Sequence, residues 1–140
     1  MALVVVVDYG MGNLRSVEKA LAHLGTSDVI KISGDPADIA IADKIVFPGQ
    51  GAMPDCMKEL ESRRLIDPIR LAAATKPFLG ICIGLQLLFE RSEEGDVPGL
   101  GLMLGQVRKF SPENLDATGV KFKVPHMGWN NITQLSGVLF

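Results

Sequence analysis

Apolar runs of strand length alternate with segments of helical periodicity over the first two thirds of the chain. The runs lie at 2–7, 29–32, 44–47 and 77–81. The first is apolar throughout and rich in β-branched residues, which is typical of a strand buried on both faces. Segments of helical period follow the runs, at 14–24, from 35, at 53–60 and 65–74, and at 83–91. This alternation predicts an α/β fold of three layers, with a mostly parallel sheet and right-handed crossovers.

The first predicted helix has clear end signals. Asn13 is a suitable N-cap, and Gly25 stands where a helix end favours a left-handed residue. The apolar face between them is predicted to comprise Leu14, Val17, Leu21 and Leu24. Asp35-Pro36 opens the second helix, since proline fits the first helical position.

The pattern changes after Arg91. Residues 92–105 are predicted to form a loop, and short strands without intervening helices are predicted at 106–110, 121–124 and 138–140. The sequence contains no internal repeat and no low-complexity tract. Its 140 residues are predicted to form a single domain, 1–140.

Composition narrows the class of protein. The chain is 47% hydrophobic, its mean hydropathy is +0.25 and its net charge is −2. This charge argues against nucleic acid or an anionic membrane as the main partner. The apolar start is too short for a membrane span and has no preceding basic residue, so no targeting segment is expected and the cytoplasm is the default location. The two cysteines have no metal-ligand spacing and no disulfide framework, and free thiols suit a reducing compartment. No metal and no cofactor are expected.

The central motif is Gly80-Ile81-Cys82-Ile83-Gly84, between an apolar strand and an amphipathic helix. It has the nucleophile-elbow pattern, with cysteine in place of serine. Glycines two positions either side avoid collisions in the tight turn. The helix start favours the reactive thiolate and aims the Ile83 N–H at the site of a developing oxyanion. Taken alone, the motif fits a small buried cysteine equally well, but the strand and helix around it favour a nucleophile.

Pro48-Gly49-Gln50-Gly51, here called the glycine loop, ends the third predicted strand. In a parallel sheet it shares the carboxyl edge with Cys82, where ligands bind in open α/β sheets. An ordinary tight turn is the alternative for such a loop standing alone. Gln86 follows Cys82 by one helical turn and is either a substrate contact or a solvated residue. Cys56, in a helical segment, is interpreted as structural.

A cysteine nucleophile needs a base, and the chain has two histidines. His23 is interpreted as a surface residue at a helix end. His126 is the only other candidate for the base, and no carboxylate lies near it in sequence.

Three segments together resemble the family of glutamine amidotransferase subunits of imidazole glycerol phosphate synthase. They are the opening turn 8–17, the elbow 80–86, and Pro125-His126-Met127-Gly128-Trp129-Asn130. The elbow alone marks class I amidotransferases in general, and the other two make the resemblance specific to the histidine-pathway member.

The resemblance implies a glutaminase that passes ammonia to a (β/α)₈-barrel cyclase subunit, which forms imidazole glycerol phosphate and an aminoimidazole carboxamide ribotide. Cys82 would attack the glutamine amide and form a glutamyl thioester. The oxyanion and substrate region would comprise Gly49, Gln50, Gly51, Ile83 and Gln86. The partner interface would comprise Asn13, Met127, Trp129 and Asn130. His126 matches a family residue that is not the base.

The sequence departs from the family in three places. Gln50 and Leu85 replace commoner hydrophobic residues, and neither removes a catalytic group. The third departure is larger, because nothing here matches the family strand that carries the catalytic His and Glu. The chain is therefore expected to be the N-terminal portion of the domain, with little or no turnover by itself.

Two other classes of function remain open. One is a cysteine hydrolase or glyoxalase-like protein of similar fold, which would place an acidic residue close to Cys82. The other is a non-catalytic module that binds the cyclase or another partner.

Overall fold

A computed structural model describes residues 1–111, 113, 115, 118–121, 123, 128–131 and 133. The first four strands are β1 (Leu3–Val7), β2 (Val29–Ser33), β3 (Lys44–Gly49) and β4 (Phe78–Cys82). The helices are α1 (Leu14–His23), α2 (Pro36–Ile41), α3 (Met53–Ser62), α4 (Ile66–Thr75) and α5 (Ile83–Gln86). A second group of strands comprises β5 (Phe89–Ser92), β6 (Val97–Pro98) and β7 (Met103–Val107).

The first four strands form one parallel sheet in the order β2-β1-β3-β4. This confirms the predicted parallel α/β arrangement. Because parallel strands need crossover connections, the helices return the chain across the two faces of the sheet. All four carboxyl ends therefore meet at one edge.

The two faces of the sheet are covered unequally. Val5, Val7 and Phe47 pack in a large core with residues from α2, α3, α4 and α5. The opposite face is a small cluster of Val4, Val6 and Val46, covered by the half-buried apolar side chains Leu14, Val17 and Leu21 of α1. The layers on both faces confirm the predicted three-layer fold.

The ends of α1 agree with the sequence signals. The Asn13 side chain accepts a hydrogen bond from the Ser16 N–H at 3.3 Å, and Gly25 has a φ of +65°. The prediction that Leu24 belongs to the buried face is wrong, because Leu24 comes after the last helical residue and is 70% exposed. The turn that ends the helix carries Leu24 away from the apolar face.

The segment after Cys82 corrects two predictions. The helix predicted over 83–91 ends at Gln86, and the loop predicted over 92–105 contains a 3₁₀ turn at Glu94–Asp96 and two strands. The carbonyls of Leu87 and Leu88 accept from Leu100 and Leu102, at 2.7 and 2.8 Å, so these long-range bonds replace a helical ladder. β5 pairs antiparallel with β6 and parallel with β7. The strand predicted at 106–110 is thus shifted to β7.

The remaining strand predictions lie largely outside the described residues. Lys121 forms an isolated bridge with Leu115, whereas 122, 124 and the whole of 138–140 fall outside the described part.

In the described part of the chain, no helix is long and apolar enough to cross a membrane.

Candidate active site

Cys82 and Gly49 are paired in register at the carboxyl edge of the sheet. β3 ends at Gly49 and β4 ends at Cys82, and the two residues are direct partners in the parallel ladder. The glycine loop and the thiol therefore lie side by side at the edge where ligands enter this kind of sheet. The predicted juxtaposition of the two motifs is confirmed.

The backbone of Cys82 is strained. Its φ is 57° and its ψ −119°, a left-handed conformation that L-residues rarely adopt. The next residue begins α5, so the turn from strand to helix occurs at the cysteine itself. The residue is exposed and its thiol is free. This geometry presents the thiol to solvent at the tip of a sharp turn, as a nucleophile requires.

Gly80 and Gly84 allow the turn to close. A methyl group at Gly80 would lie 2.7 Å from Cα of Leu85, and one at Gly84 would overlap the Phe47 carbonyl oxygen. Only glycine lets the first turn of α5 pack directly on β3 and β4. Both glycines predicted to flank the turn are therefore required by close contacts with neighbouring backbone.

Tyr9 lies directly behind the glycine loop. Its side chain is fully buried, and its ring centroid is 5.3 Å from that of Phe47. A methyl group at Gly49 would lie 2.6 Å from the Tyr9 hydroxyl oxygen and 2.7 Å from the Gly84 nitrogen. Burial, followed by the neighbouring thiols of Cys56 and Cys82, raises the pKa of Tyr9 far above its usual range, so the phenol stays protonated.

Cys56 supports the loop from the same side. It is fully buried in α3, and its Sγ donates to the Gln50 carbonyl at 3.6 Å. Burial is the main cause that raises the pKa of the Cys56 thiol, so this group stays a neutral donor. Cys56 also lies close to the Tyr9 hydroxyl, and after burial this contact contributes to the raised pKa of Tyr9. No described group meets hydrogen-bond geometry with that hydroxyl.

An open pocket of about 740 Å³ adjoins the elbow. It is lined by Ile83, Gln86, Ser92, Glu93, Glu94, Val107, Arg108, Lys109 and Phe110. Both carboxylates and cations border it, next to the turn that carries the thiol. A separate apolar groove, lined in part by Asp28, Lys44 and Pro77, lies at the amino ends of the strands, away from Cys82. Of these two cavities, only the pocket beside the elbow adjoins the turn that carries the Cys82 thiol.

Glu94 connects this pocket to the glycine loop. Its Oε2 accepts from the Met53 N–H at 2.9 Å, where α3 begins just after the loop. Glu93 accepts from the Lys109 N–H at 2.9 Å and lies 3.8 Å from the Arg108 guanidinium. The acidic segment after β5 therefore fixes both the start of α3 and the far wall of the pocket.

The histidine of the described part lies away from the thiol. His23 is the last residue of α1, which starts at the carboxyl edge and runs back toward the amino edge. It is exposed there, which agrees with the interpretation as a surface residue. His126 lies outside the described residues, as does Met127. No described histidine is positioned to act as a base for Cys82.

The other predicted interface residues are on the surface. Asn13 is exposed and caps α1 at the carboxyl edge, and the Trp129 side chain is fully exposed. Asn130 is also exposed. Among the described residues, no group of three or more His, Cys, Asp or Glu side chains is placed to hold a metal ion.

Sequence reasoning missed Tyr9 and Glu94, and it assigned Cys56 no place near the loop. Tyr9 comes two positions after β1, so its location near the carboxyl edge was predictable. Its contact with Gly49 was not, because that depends on how far the ring extends beneath the neighbouring strand. Glu94 falls in a segment whose sequence predicts a loop.

The family Glutamine amidotransferase class-I matches residues 5–137. Proteins named "Imidazole glycerol phosphate synthase subunit HisH" are similar to this chain. The one from Aromatoleum aromaticum is 56% identical over 96% of this chain and 64% of its own length. Those from Dechloromonas aromatica and Nitrosospira multiformis are each 54% identical, over 94% and 98% of this chain and 61% and 65% of their own lengths. The chain thus spans less than two thirds of these relatives.

A crystal structure of a candidate peptidase E protein from Listeria monocytogenes has a similar fold. Its TM-score is 0.58 at 15% identity, over 73% of this chain and 63% of the other. At that identity the likeness concerns the fold alone.

Proposed function

The chain belongs to the class I glutamine amidotransferase family, and we propose that the whole protein is the glutaminase subunit of imidazole glycerol phosphate synthase. It would hydrolyse glutamine to glutamate and ammonia and deliver the ammonia to a cyclase subunit in histidine biosynthesis. The observation that carries the proposal is the exposed thiol of Cys82 in a strained elbow, paired in register with Gly49 of the glycine loop.

The proposed reaction uses these groups. The Cys82 thiolate attacks the side-chain amide carbon of glutamine, and the carbonyl oxygen becomes an oxyanion. The Ile83 N–H and the N–H groups of the glycine loop would stabilise that charge. The C–N bond then breaks, and ammonia leaves with a proton from a general acid. Water hydrolyses the resulting thioester to glutamate and free thiol.

The proton transfers need a base that His23 cannot supply from the opposite edge. The family resemblance implies a His and a Glu, on a strand that this chain does not match. We therefore propose that 1–140 is one portion of the amidotransferase domain and that it retains the nucleophile with little turnover. Loss of a general base lowers such rates by roughly 10²- to 10⁴-fold.

The pocket beside the elbow suits an α-amino acid. The carboxylates of Glu93 and Glu94 and the cations of Arg108 and Lys109 border it, so it offers partners for both an ammonium and a carboxylate group. Gln86, half-buried in its wall, would contact the substrate amide. Glutamine carries all three of these groups.

The proposed partner is a (β/α)₈-barrel cyclase subunit, bound as a heterodimer. Asn13, Trp129 and Asn130 would face it, together with Met127 outside the described residues. The exposed indole of Trp129 has the character of an interface anchor, since tryptophan is enriched at binding hot spots.

The cytoplasm is the proposed location, which the two free thiols favour.

Labelling and turnover together test the function. A glutamine-analogue electrophile should modify Cys82 in the 140-residue chain, and the full-length protein with the cyclase and its ligand should release glutamate and ammonia. Cys82→Ala should abolish both signals, and Cys56→Ala, as the matched thiol deletion, should retain labelling at Cys82. Tight cyclase binding without labelling would instead indicate a non-catalytic module, and labelling without glutaminase activity in the complete enzyme would indicate another cysteine hydrolase.

A further inference from the structure

The buried hydroxyl of Tyr9 is not explained by core packing. The oxygen is out of contact with solvent, and no described group meets hydrogen-bond geometry with it; its polar neighbour is the Cys56 thiol, which, after burial, helps to raise the pKa of Tyr9. A buried polar group without a partner is unfavourable. Phenylalanine would keep the ring contact with Phe47, with centroids 5.3 Å apart, and would avoid this cost. The hydroxyl therefore forms no well-aligned hydrogen bond that would account for its place in the core.

The same hydroxyl contacts the backbone that borders the nucleophile. The side of Gly49 that would carry a Cβ faces the Tyr9 hydroxyl oxygen, and the Cβ of Ile83 lies next to the same point, 2.9 Å from a methyl group built on Gly49. The oxygen is thus wedged between the end of β3 and the first turn after Cys82. It limits how closely the glycine loop can approach the elbow.

A second polar group reaches the next residue of the loop from the core side. The Cys56 thiol donates to the Gln50 carbonyl at 3.6 Å, which directs that carbonyl inward. Met11 lies against Gly51, the next residue of the loop: a methyl group at Gly51 would be 2.9 Å from the Met11 Cε. The Tyr9 hydroxyl and Met11 therefore limit the positions of Gly49 and Gly51 by contact, and the Cys56 thiol holds Gln50 between them by a hydrogen bond.

We propose that Tyr9 is a positioning residue of the active site: its hydroxyl, assisted by the Cys56 thiol, holds the glycine loop at the distance from Cys82 that catalysis requires. The role rests on the proposed function, since the loop matters for turnover only if its N–H groups stabilise the oxyanion. Tyr9 itself touches neither the substrate nor the reacting atoms.

Tyr9→Phe in the full-length subunit, assayed with the cyclase and its ligand, is the direct test. We expect kcat for glutamine hydrolysis to fall about 10- to 100-fold, because small displacements of catalytic groups have effects of this size. KM should stay within about twofold and the melting temperature should not fall, since the ring is retained. Thr75→Ala is the matched control: it also removes a hydroxyl, one that donates to Leu71 on α4, away from the site.

Amide hydrogen exchange of the same variants gives a readout that does not depend on glutaminase activity. Exchange at Gln50 and Gly51 should become about tenfold faster in Tyr9→Phe and remain unchanged in Thr75→Ala. Cys56→Ser keeps a donor for the Gln50 carbonyl, so it should stay closer to wild type than Cys56→Ala in both kcat and exchange.

The outcomes distinguish the positioning role of Tyr9 from the proposed glutaminase function. Wild-type kcat or wild-type loop exchange in Tyr9→Phe would overturn the positioning role, as would a lowered melting temperature, which would make the hydroxyl a stabilising core group. Equal effects of Cys56→Ser and Cys56→Ala would overturn the assisting role of the thiol. If the wild-type complex releases no glutamate, the proposed function fails, whereas the exchange data still decide whether the hydroxyl holds the loop.

Discussion

Gly84 packs directly on the carbonyl of Phe47, where the first turn of α5 meets the end of β3. A methyl group on Gly84 would overlap that oxygen. The contact brings the elbow and the glycine loop together, because Phe47 lies two residues before Gly49 in the same strand. Any displacement of α5 from β3 would also separate Cys82 from Gly49.

Gly84→Ala should therefore destabilise the fold by about 3 kcal/mol or more, although alanine is the better helix former. Denaturant unfolding measures the change. Gly25→Ala is the control, since Gly25 has open space around it but a φ of +65°, and it should cost only about 1 kcal/mol. Equal losses in the two variants would show that backbone conformation, and not the contact with Phe47, determines the effect.

The strained backbone at Cys82 should lower the stability of the fold. With φ 57° and ψ −119°, glycine fits the position better than any L-residue. Cys82→Gly should unfold with a free energy about 1 kcal/mol higher than that of Cys82→Ala, even after the entropic cost of glycine. Both variants lack the thiol, so the comparison isolates the backbone. A Cys82→Ala protein as stable as Cys82→Gly would mean that the turn carries no strain.

The two thiols should differ sharply in alkylation. Cys82 is exposed, whereas Cys56 is buried and its thiol pKa is raised, mainly by burial. Limited iodoacetamide at neutral pH should add one group, located at Cys82 by peptide mass mapping. Cys56→Ala should retain that adduct and Cys82→Ala should show none until denaturant is added. Modification of Cys56 in the native protein would contradict the burial of its side chain.

The acid sensitivity of the fold should depend on Asp28. Its carboxylate accepts from Lys44 Nζ at 2.8 Å and from the Ala2 N–H at 2.9 Å. The Lys44 bond, then the Ala2 bond, lowers the pKa of Asp28 below its usual value. Because the folded-state pKa is depressed, this stabilisation is present above the unfolded pKa of about 4 and is lost as the pH falls through the folded value.

Asp28→Asn should therefore be less stable than wild type near neutral pH, and the difference should shrink below about pH 4. Denaturant unfolding at a series of pH values measures it. Asp67→Asn is the control, because the Asp67 side chain is 95% exposed and lies 3.9 Å from Arg70. A constant difference between wild type and Asp28→Asn at every pH would refute the assignment.

Trp129 should matter for association and not for folding. Its side chain is fully exposed, so Trp129→Ala should leave the melting temperature unchanged. If it anchors the proposed cyclase interface, the loss of about 2 kcal/mol would raise Kd by roughly 30-fold. Calorimetric titration of the full-length subunit with the cyclase measures this. Leu104→Ala, which removes another exposed apolar side chain, should leave Kd unaffected.

Where the residue pattern is local, the sequence determined the structure. The apolar runs, the Asn13 cap and Gly25 determine where the strands and the first helix lie along the chain. The glycines around Cys82 fix the elbow, because only a residue without a Cβ fits so close to neighbouring backbone. The family resemblance also rests on short segments, 8–17, 80–86 and 125–130.

Only the tertiary structure decided the path of the chain after Gln86 and the packing beneath the glycine loop. Residues 83–91 have helical periodicity, but the carbonyls of Leu87 and Leu88 bond to Leu100 and Leu102, and no local pattern reports such distant partners. Similarly, Tyr9 is far along the chain from both Gly49 and Cys56. Their contact depends on the depth of packing between β1, β3 and α3, which sequence periodicity does not encode.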